Sequence, residues 1–203
     1  MFVKLCGLRT EADVATAVDA GADAVGFVFS RSPRQVDPDT ARRLAAAVPA
    51  HVLTVGVFRE TPTDEVRRLT VESDIRAVQL HGDYPRSAFE NLASLDVPLV
   101  RAVTLTPETD VRVGAFGERM LLLDSPEAGS GHRWDLSSLT TRPAGDWLLA
   151  GGLTAANVAE AVAEARPWGV DVSSGIESSR GVKDHALMHA FVKAARESST
   201  RTP

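Results

Sequence analysis

The amino-acid sequence predicts an α/β protein, a single-domain (β/α)8 TIM barrel that spans residues 1–203. Eight short apolar runs recur along the chain, and they are followed by stretches rich in alanine, leucine and charge. Such alternation is typical of a parallel sheet covered by helices, and eight units fit a compact closed barrel. A doubly wound open sheet is the alternative, but the G-x-G-x-x-G turn found in many such sheets does not follow the first run.

The eight apolar runs are predicted to be buried parallel strands. Most are too short for helices and too continuously apolar for the exposed face of a sheet. The predicted strands are FVKLC (2–6), AVGFVF (24–29), VLTVGVF (52–58), AVQL (77–80), LVRAV (99–103), MLLLD (120–124), WLLA (147–150) and GVDV (169–172).

Apolar residues at helical spacing predict helices between these strands. One helix is expected over Glu11–Ala20, and a second begins at Asp37, where the next residue is a proline suited to a first helical turn. Thr154 is expected to cap a third helix, and the final one is expected over about Lys183–Arg196. The helix pattern is weakest at 104–119.

Composition excludes several classes of function. A net charge of −5 argues against a nucleic-acid surface, and no apolar run approaches the roughly 20 residues of a membrane span. The N-terminus lacks the layout of a signal peptide, so we expect a soluble cytoplasmic protein. His185 and His189 have the spacing of a helical metal pair, but the glutamate of HExxH is absent and a solvated helix face is favoured. We therefore predict no metal site.

Polar side chains follow several of the predicted strands at the point where each strand ends. Cys6, the only cysteine, ends the first strand, and Arg34 lies in the loop after the second. Gln79 and His81 mark the end of the fourth strand, and Asp124 ends the sixth. Active sites of these barrels lie at the carboxyl ends of the strands, so these residues are candidates for binding and catalysis.

The last two strand ends carry glycines. Gly151 and Gly152 follow the seventh strand, and the run Ser173–Gly175 follows the eighth. Barrels of this type often bind phosphate there, although the glycines have the alternative role of forming tight corners. Lys4 is two residues before the cysteine and points to the same interior side, where Asp171 on the neighbouring strand is its expected partner. The layout predicts a phosphosugar ligand with a second anionic group.

Seven segments together resemble phosphoribosylanthranilate isomerase of tryptophan biosynthesis. The resemblance extends from Lys4 to about Ala195, and it is specific because the segments occur together in one chain. The segments are VKLCGL, GADAVGFVFSRSPRQV, VGVF, VQLHG, LLLDS, AGGLTAANV and DVSSGIE followed by GVKD.

The resemblance implies a (β/α)8 barrel that performs an Amadori rearrangement of an aminoaldose to an aminoketose without a cofactor. It implies that Cys6 is the general base, that Asp124 is the general acid and that Arg34 contacts the carboxylate of the substrate. It also implies that the phosphate is held by loops containing Gly151, Gly152, Ser174 and Gly175. Further substrate contacts are expected at Gln79, His81, Gly131, Asp171 and Ser173.

Two positions depart from the family pattern. The loop after the sixth strand is EAGSGHRWDL, in which Gly129 and Gly131 are retained but the usual lysine or similar residue and the aromatic spacing are altered. Arg180 stands where a proline is common. The first departure affects the expected phosphate contact of that loop, and neither changes the proposed acid or base.

Two other functions are compatible with the same residues. One is an isomerase that acts on the histidine-pathway aminoaldose, or on both substrates, although those enzymes generally carry aspartate in place of Cys6. The other is a barrel that binds a phosphate ligand without catalysis, which would tolerate Cys6→Ser. All of these predict a small-molecule phosphosugar as the partner, with no nucleic acid, no membrane and no obligate protein partner.

Overall fold

Eight parallel strands close into a barrel in the computed structural model, which describes residues 1–124 and 142–199. Neighbouring strands pair in sequence order, and β8 pairs with β1 to complete the ring. This closure confirms the predicted barrel and excludes the open sheet. The strands are β1 (Phe2–Cys6), β2 (Ala24–Val28), β3 (Leu53–Phe58), β4 (Ala77–His81), β5 (Leu99–Thr104), β6 (Met120–Asp124), β7 (Trp147–Leu149) and β8 (Gly169–Val172).

Helices cover the outside of the barrel. The α-helices of the described residues are α1 (Glu11–Asp19), α2 (Pro38–Ala46), α3 (Thr63–Glu72), α4 (Arg86–Leu92), α5 (Val158–Ala165) and α6 (His185–Ser199), and short 3-10 helices lie at Ala93–Leu95 and Ser174–Ile176. The Thr10 hydroxyl accepts from the backbone N–H of Asp13, whose carboxylate accepts from the N–H of Thr10, so a capping box begins α1. Asp37 caps α2, and Pro38 occupies its first turn as predicted.

Two local predictions were wrong. Thr154 does not cap α5, because a turn intervenes and the helix begins after Asn157. The last helix begins at His185, because Val182 and Lys183 form a short strand, β10, that pairs with β9 (Glu177–Ser179). Residues 105–119 contain turns and no helix, in keeping with the thin helix pattern there.

The apolar core has two layers. The larger one lies between the outer faces of the strands and the helices, and it includes Val25, Phe27, Leu121 and Phe191. The smaller one fills the barrel interior in two clusters, one with members such as Ala102 and Leu122 and the other with Cys6 and Val55. A filled interior confines the ligand space to one end of the barrel. Among the described helices, none combines the length and apolar composition that crossing a bilayer requires.

Candidate active site

A pocket of about 390 Å³ opens at the carboxyl ends of the strands. This volume lies within the range of small-molecule sites, about 300–1,000 Å³. The predicted residues that line it are Cys6, Arg34, Gln79, His81, Asp124, Gly151, Gly152, Asp171, Ser173 and Ser174. Gly131 lies outside the described residues. The sequence-based expectation that these positions converge on one end of the barrel is met by every described position except Gly175, which does not line the pocket.

The thiol of Cys6 sits against the backbone of the neighbouring strand. Cys6 is 6% exposed and is paired in register with Gly26 of β2. A Cβ atom at Gly26 would lie 2.8 Å from the cysteine Sγ, so a side chain there would displace the thiol. Glycine inside a strand often marks such a close approach. Gly26 within the second apolar run is therefore a sequence signal for the location of the thiol that the sequence analysis did not include.

A buried ion pair lies beneath the thiol. Lys4 Nζ donates to Asp171 Oδ1 at 2.6 Å, and the lysine is 1% exposed, which confirms the predicted pair. Burial opposes the charge of Lys4, but the charges of Asp171 and Cys6 outweigh it and raise the lysine pKa. Lys4 is therefore a fixed cation on the same inward face of β1 as the thiol.

Burial and three nearby charges together set the pKa of the Cys6 thiol. Burial raises its pKa, the positive charge of Lys4 lowers it, Asp171 raises it and Lys183 lowers it. The net pKa is raised, so the thiolate is a minor species at neutral pH. The two lysines limit this rise.

Asp124 and His81 face each other across the pocket. His81 Nε2 lies 3.9 Å from Asp124 Oδ2, and both side chains are partly exposed. Burial and the charge of Arg59 lower the pKa of His81, so the imidazole is neutral at pH 7.

Gln79, on the same strand as His81, is 2% exposed, and its Oε1 has no hydrogen-bond partner among the described residues. A buried amide oxygen at a pocket wall is suited to accept a hydrogen bond from a ligand.

The loops after β7 and β8 pack tightly together. A Cβ atom at Gly175 would lie 1.8 Å from the carbonyl oxygen of Leu153, so only glycine fits there. Gly151 and Gly152 have φ values of +91° and +64°, which glycine adopts most readily. The Asn157 side chain stabilises the turn after β7, because its Nδ2 donates to the Gly152 carbonyl and its Oδ1 accepts from the backbone N–H of Thr154. Asn157 occupies the N-cap position of α5, but its side chain stabilises the preceding turn and makes no capping hydrogen bond to the helix.

A second buried charge cluster borders the pocket. Arg34 donates from Nε and Nη2 to the two carboxylate oxygens of Glu177, at 2.6 and 2.8 Å. Lys183 Nζ lies 2.9 Å from Glu177 Oε1 and 2.8 Å from the carbonyl oxygen of Ser173. Burial opposes the glutamate charge, yet these cations and the N–H of Gly181 lower the pKa of Glu177 to about 2. The sequence analysis missed Lys183 as part of the site.

The candidate metal pair does not form a common site. His185 Nε2 lies 3.2 Å from Asp13, and His189 Nε2 lies 3.7 Å from Asp19, so each histidine faces a different aspartate. In the part of the chain that the structure describes, no group of three or more His, Cys, Asp or Glu side chains is arranged to hold a metal ion.

A closed eight-stranded parallel barrel with a pocket at the carboxyl ends of its strands has the architecture of the (β/α)8-barrel enzymes. The family model described as N-(5'phosphoribosyl)anthranilate (PRA) isomerase matches residues 3–194. The chain belongs to the PRA isomerase family, and it is an aldose–ketose isomerase of tryptophan biosynthesis.

Individual relatives agree with this family. The N-(5'-phosphoribosyl)anthranilate isomerase of Chromohalobacter salexigens is 41% identical, over 99% of this chain and 96% of the relative. The crystal structure of TrpF from Jonesia denitrificans is 44% identical, covers 100% of both chains and gives a TM-score of 0.92. A phosphoribosyl anthranilate isomerase solved in complex with reduced 1-(o-carboxyphenylamino)-1-deoxyribulose 5-phosphate is 32% identical, covers 97% and 99% of the chains and gives a TM-score of 0.81.

Proposed function

We propose that the chain converts N-(5'-phosphoribosyl)anthranilate into its aminoketose, with Asp124 as the general acid and Cys6 as the general base. In this proposal residues 1–203 form one barrel domain with one catalytic pocket. The observation that carries it is that the carboxyl group and the thiol line the same pocket, on either side of the two glycine-containing loops. The acid lies on β6, the loops follow β7 and β8, and the base lies on β1.

The first step opens the sugar ring. Asp124 in its protonated form donates to the furanose ring oxygen, the bond between that oxygen and C1 breaks, and the nitrogen lone pair forms a C1–N double bond. The product of this step is a cationic Schiff base, and the acid is left as a carboxylate. Its location at the mouth of the barrel and its partial exposure give the carboxylate access to solvent for reprotonation.

The second step removes a proton from C2. Cys6 as the thiolate takes this proton, and the electron pair of the C2–H bond flows toward the Schiff base to give an enolamine. The enolamine then becomes the ketone by loss of the proton on O2 and gain of one at C1. Because the rearrangement moves only protons, one acid and one base suffice.

The environment of the thiol fits this order of events. Its raised pKa keeps most of the free enzyme in the thiol form, while Lys4 and Lys183 stabilise the thiolate that reacts. The positive charge of the Schiff base adds to these cations, and it also acidifies the C2–H bond. The fraction of Cys6 in the thiolate form therefore increases at the step that removes the C2 proton.

The remaining pocket residues supply binding. The loops containing Gly152 and Ser174 offer the substrate phosphate a surface of backbone groups close to the strand ends. Arg34 provides a cation for the anthranilate carboxylate, and Gln79 offers its unpaired amide oxygen to the sugar hydroxyls. These assignments place the phosphate between the acid and the base.

A turnover assay on the purified chain tests the proposal. We expect turnover of N-(5'-phosphoribosyl)anthranilate, and we expect Cys6→Ser and Asp124→Asn each to lose about 100-fold or more in kcat, the contribution usual for general acid–base catalysis. Both variants should still bind the product analogue, reduced 1-(o-carboxyphenylamino)-1-deoxyribulose 5-phosphate. Ser178→Ala, on the exposed face of β9, is the matched control.

The same assay separates the other functions. Binding without turnover in the wild type, together with unchanged binding in Cys6→Ser, would indicate a non-catalytic barrel. Faster turnover of the histidine-pathway aminoaldose would assign the chain to that reaction. Near-normal kcat in Asp124→Asn would show that the ring-opening proton comes from another group, and His81 would be examined next.

A further inference from the structure

The guanidinium of Arg34 has one of its two hydrogen-bonding edges already occupied. A guanidinium can bind a carboxylate side-on, through Nε and one Nη, or end-on, through both Nη groups. Glu177 takes the side-on edge of Arg34, since Nε and Nη2 donate to its two oxygens at 2.6 and 2.8 Å. The other three N–H groups of this guanidinium donate to no other described residue, and Arg34 lines the pocket.

Glu177 is itself held from several directions. Its side chain is only 5% exposed, and it accepts from Lys183 Nζ at 2.9 Å and from the backbone N–H of Gly181 at 3.1 Å. Lys183 also donates to the Ser173 carbonyl oxygen, in the loop after β8. The carboxylate therefore has a fixed position, and the arginine that it holds is fixed relative to the same loop.

We propose that Glu177 is a positioning residue for substrate recognition: it holds Arg34 so that only the end-on Nη1/Nη2 edge faces the pocket and binds the substrate carboxylate. The proposal rests on the proposed function, because that function supplies the carboxylate. Two carboxylates can share one guanidinium in this way, since its five N–H groups include enough donors for both. Glu177 does not touch the substrate.

The arrangement explains why the site uses arginine and why the glutamate is buried. A lysine at position 34 would offer one ammonium group and could not present two separate paired edges. An arginine without Glu177 would need to be ordered from many rotamers when the substrate binds. Removal of the glutamate charge would strengthen the attraction of Arg34 for any anion, but this gain is not directional. We expect loss of the fixed geometry to dominate.

Ligand binding by calorimetry to the full chain tests the proposal with two probes. One is reduced 1-(o-carboxyphenylamino)-1-deoxyribulose 5-phosphate, and the other is the phenylamino analogue that lacks the carboxyl group. Glu177→Ala is expected to weaken the first probe by roughly 10- to 100-fold, the range of a hydrogen bond to a charged group. It should change the second probe by less than about threefold, because the phosphate and sugar contacts remain. Ser178→Ala should change neither.

Two further variants distinguish a positioning role from a structural one. Arg34→Ala combined with Glu177→Ala should bind the carboxylated probe no more weakly than Arg34→Ala alone, since the glutamate acts only through the arginine. Glu177→Gln keeps the side-chain size and one acceptor, so it should show the same selectivity for the carboxylated probe with a smaller loss. If Glu177→Ala fails to fold, the glutamine variant supplies the measurement.

Kinetics supply the last readout. The Glu177 variants should raise KM for the carboxylated substrate and leave kcat within about threefold, because uniform binding is lost and not transition-state stabilisation. Equal weakening of both probes, a rise in selectivity for the carboxylated probe, or full additivity with Arg34→Ala would overturn the proposal. A wild-type chain that binds neither probe would overturn the proposed function itself.

Discussion

Replacement of Lys4 by methionine should destabilise the barrel strongly. The lysine is 1% exposed and lies 2.6 Å from Asp171, itself 8% exposed, so Lys4→Met leaves a carboxylate buried without its cation. Removal of one partner of a buried pair costs about 3–5 kcal/mol. For a chain of this size, 1 kcal/mol corresponds to roughly 2–4 °C in Tm, so a decrease of about 6–20 °C is expected.

The pair Arg68–Glu72 is the matched control. It has nearly the same length, 2.7 Å, but both side chains are about half exposed on α3. Because water screens such a pair, Arg68→Met should cost only about 0.3–0.5 kcal/mol. The difference between the two variants then measures the effect of burial at nearly constant distance.

Urea unfolding at pH 7 measures both variants. The raised pKa of Lys4 contributes stability that is fully present below the pKa of the unfolded lysine and is lost as pH rises through the folded value, so pH 7 reports the whole effect. Replacement of both partners, in Lys4→Met with Asp171→Leu, should recover much of the loss, since no buried charge remains. A cost for Lys4→Met no larger than that for Arg68→Met would refute the reasoning.

Two other perturbations probe the thiol and the loops after β7 and β8, to which we assign the substrate phosphate in the proposed function. Since burial keeps the pKa of Cys6 above its ordinary value of 9.0, alkylation of the native thiol by iodoacetamide should accelerate only above that pH. The stability that the protonated thiol contributes should be lost over the same range as pH rises. Urea-unfolded protein is the control, and a native thiol that titrates below its unfolded counterpart would contradict the assignment of burial as the main cause. Gly175→Ala should cost about 1–3 kcal/mol by overpacking and should abolish measurable phosphate binding, because the new Cβ would lie 1.8 Å from the Leu153 carbonyl oxygen. Ser178→Ala serves again as the control in a phosphate titration, and an unchanged phosphate affinity in the glycine variant would separate this loop from anion binding.

The parts of the fold that the sequence predicts well are those where one physical requirement dominates. Buried parallel strands need continuous apolar runs, and all eight runs became strands whose ends differ by no more than one residue from the predicted ones. The capping aspartate and the proline of α2 were also recognisable, because few residues satisfy a helix N-terminus. Pairing of Lys4 with Asp171 followed from strand alternation together with the order of strands around a closed ring.

The predictions that failed depend on competition between neighbours. Thr154 suits a helix N-terminus, but its backbone N–H donates to the Asn157 side chain within a turn, and α5 begins only after Asn157. Lysine is a residue type that favours helices, but the ammonium group of Lys183 is buried, where it donates to Glu177 and to the Ser173 carbonyl oxygen. The roles of these residues come from side-chain hydrogen bonds to positions 3 to 10 residues away, which the periodicity of apolar residues does not encode.

Barrel closure has a consequence for the order in which the molecule is built. The partners of the β1 residues come from the far end of the chain, because Lys4 meets Asp171 and the carbonyl of Cys6 meets Ser173 across a separation of 167 residues. During synthesis the lysine and the thiol emerge first and remain without these partners until β8 has been made. The pairing of first and last strands is also the longest-range contact of the ring and the most demanding in chain entropy. In the proposed mechanism the general base is therefore completed in the same event that closes the ring, because an incomplete barrel carries Lys4 and the Cys6 thiol without Asp171 and Ser173.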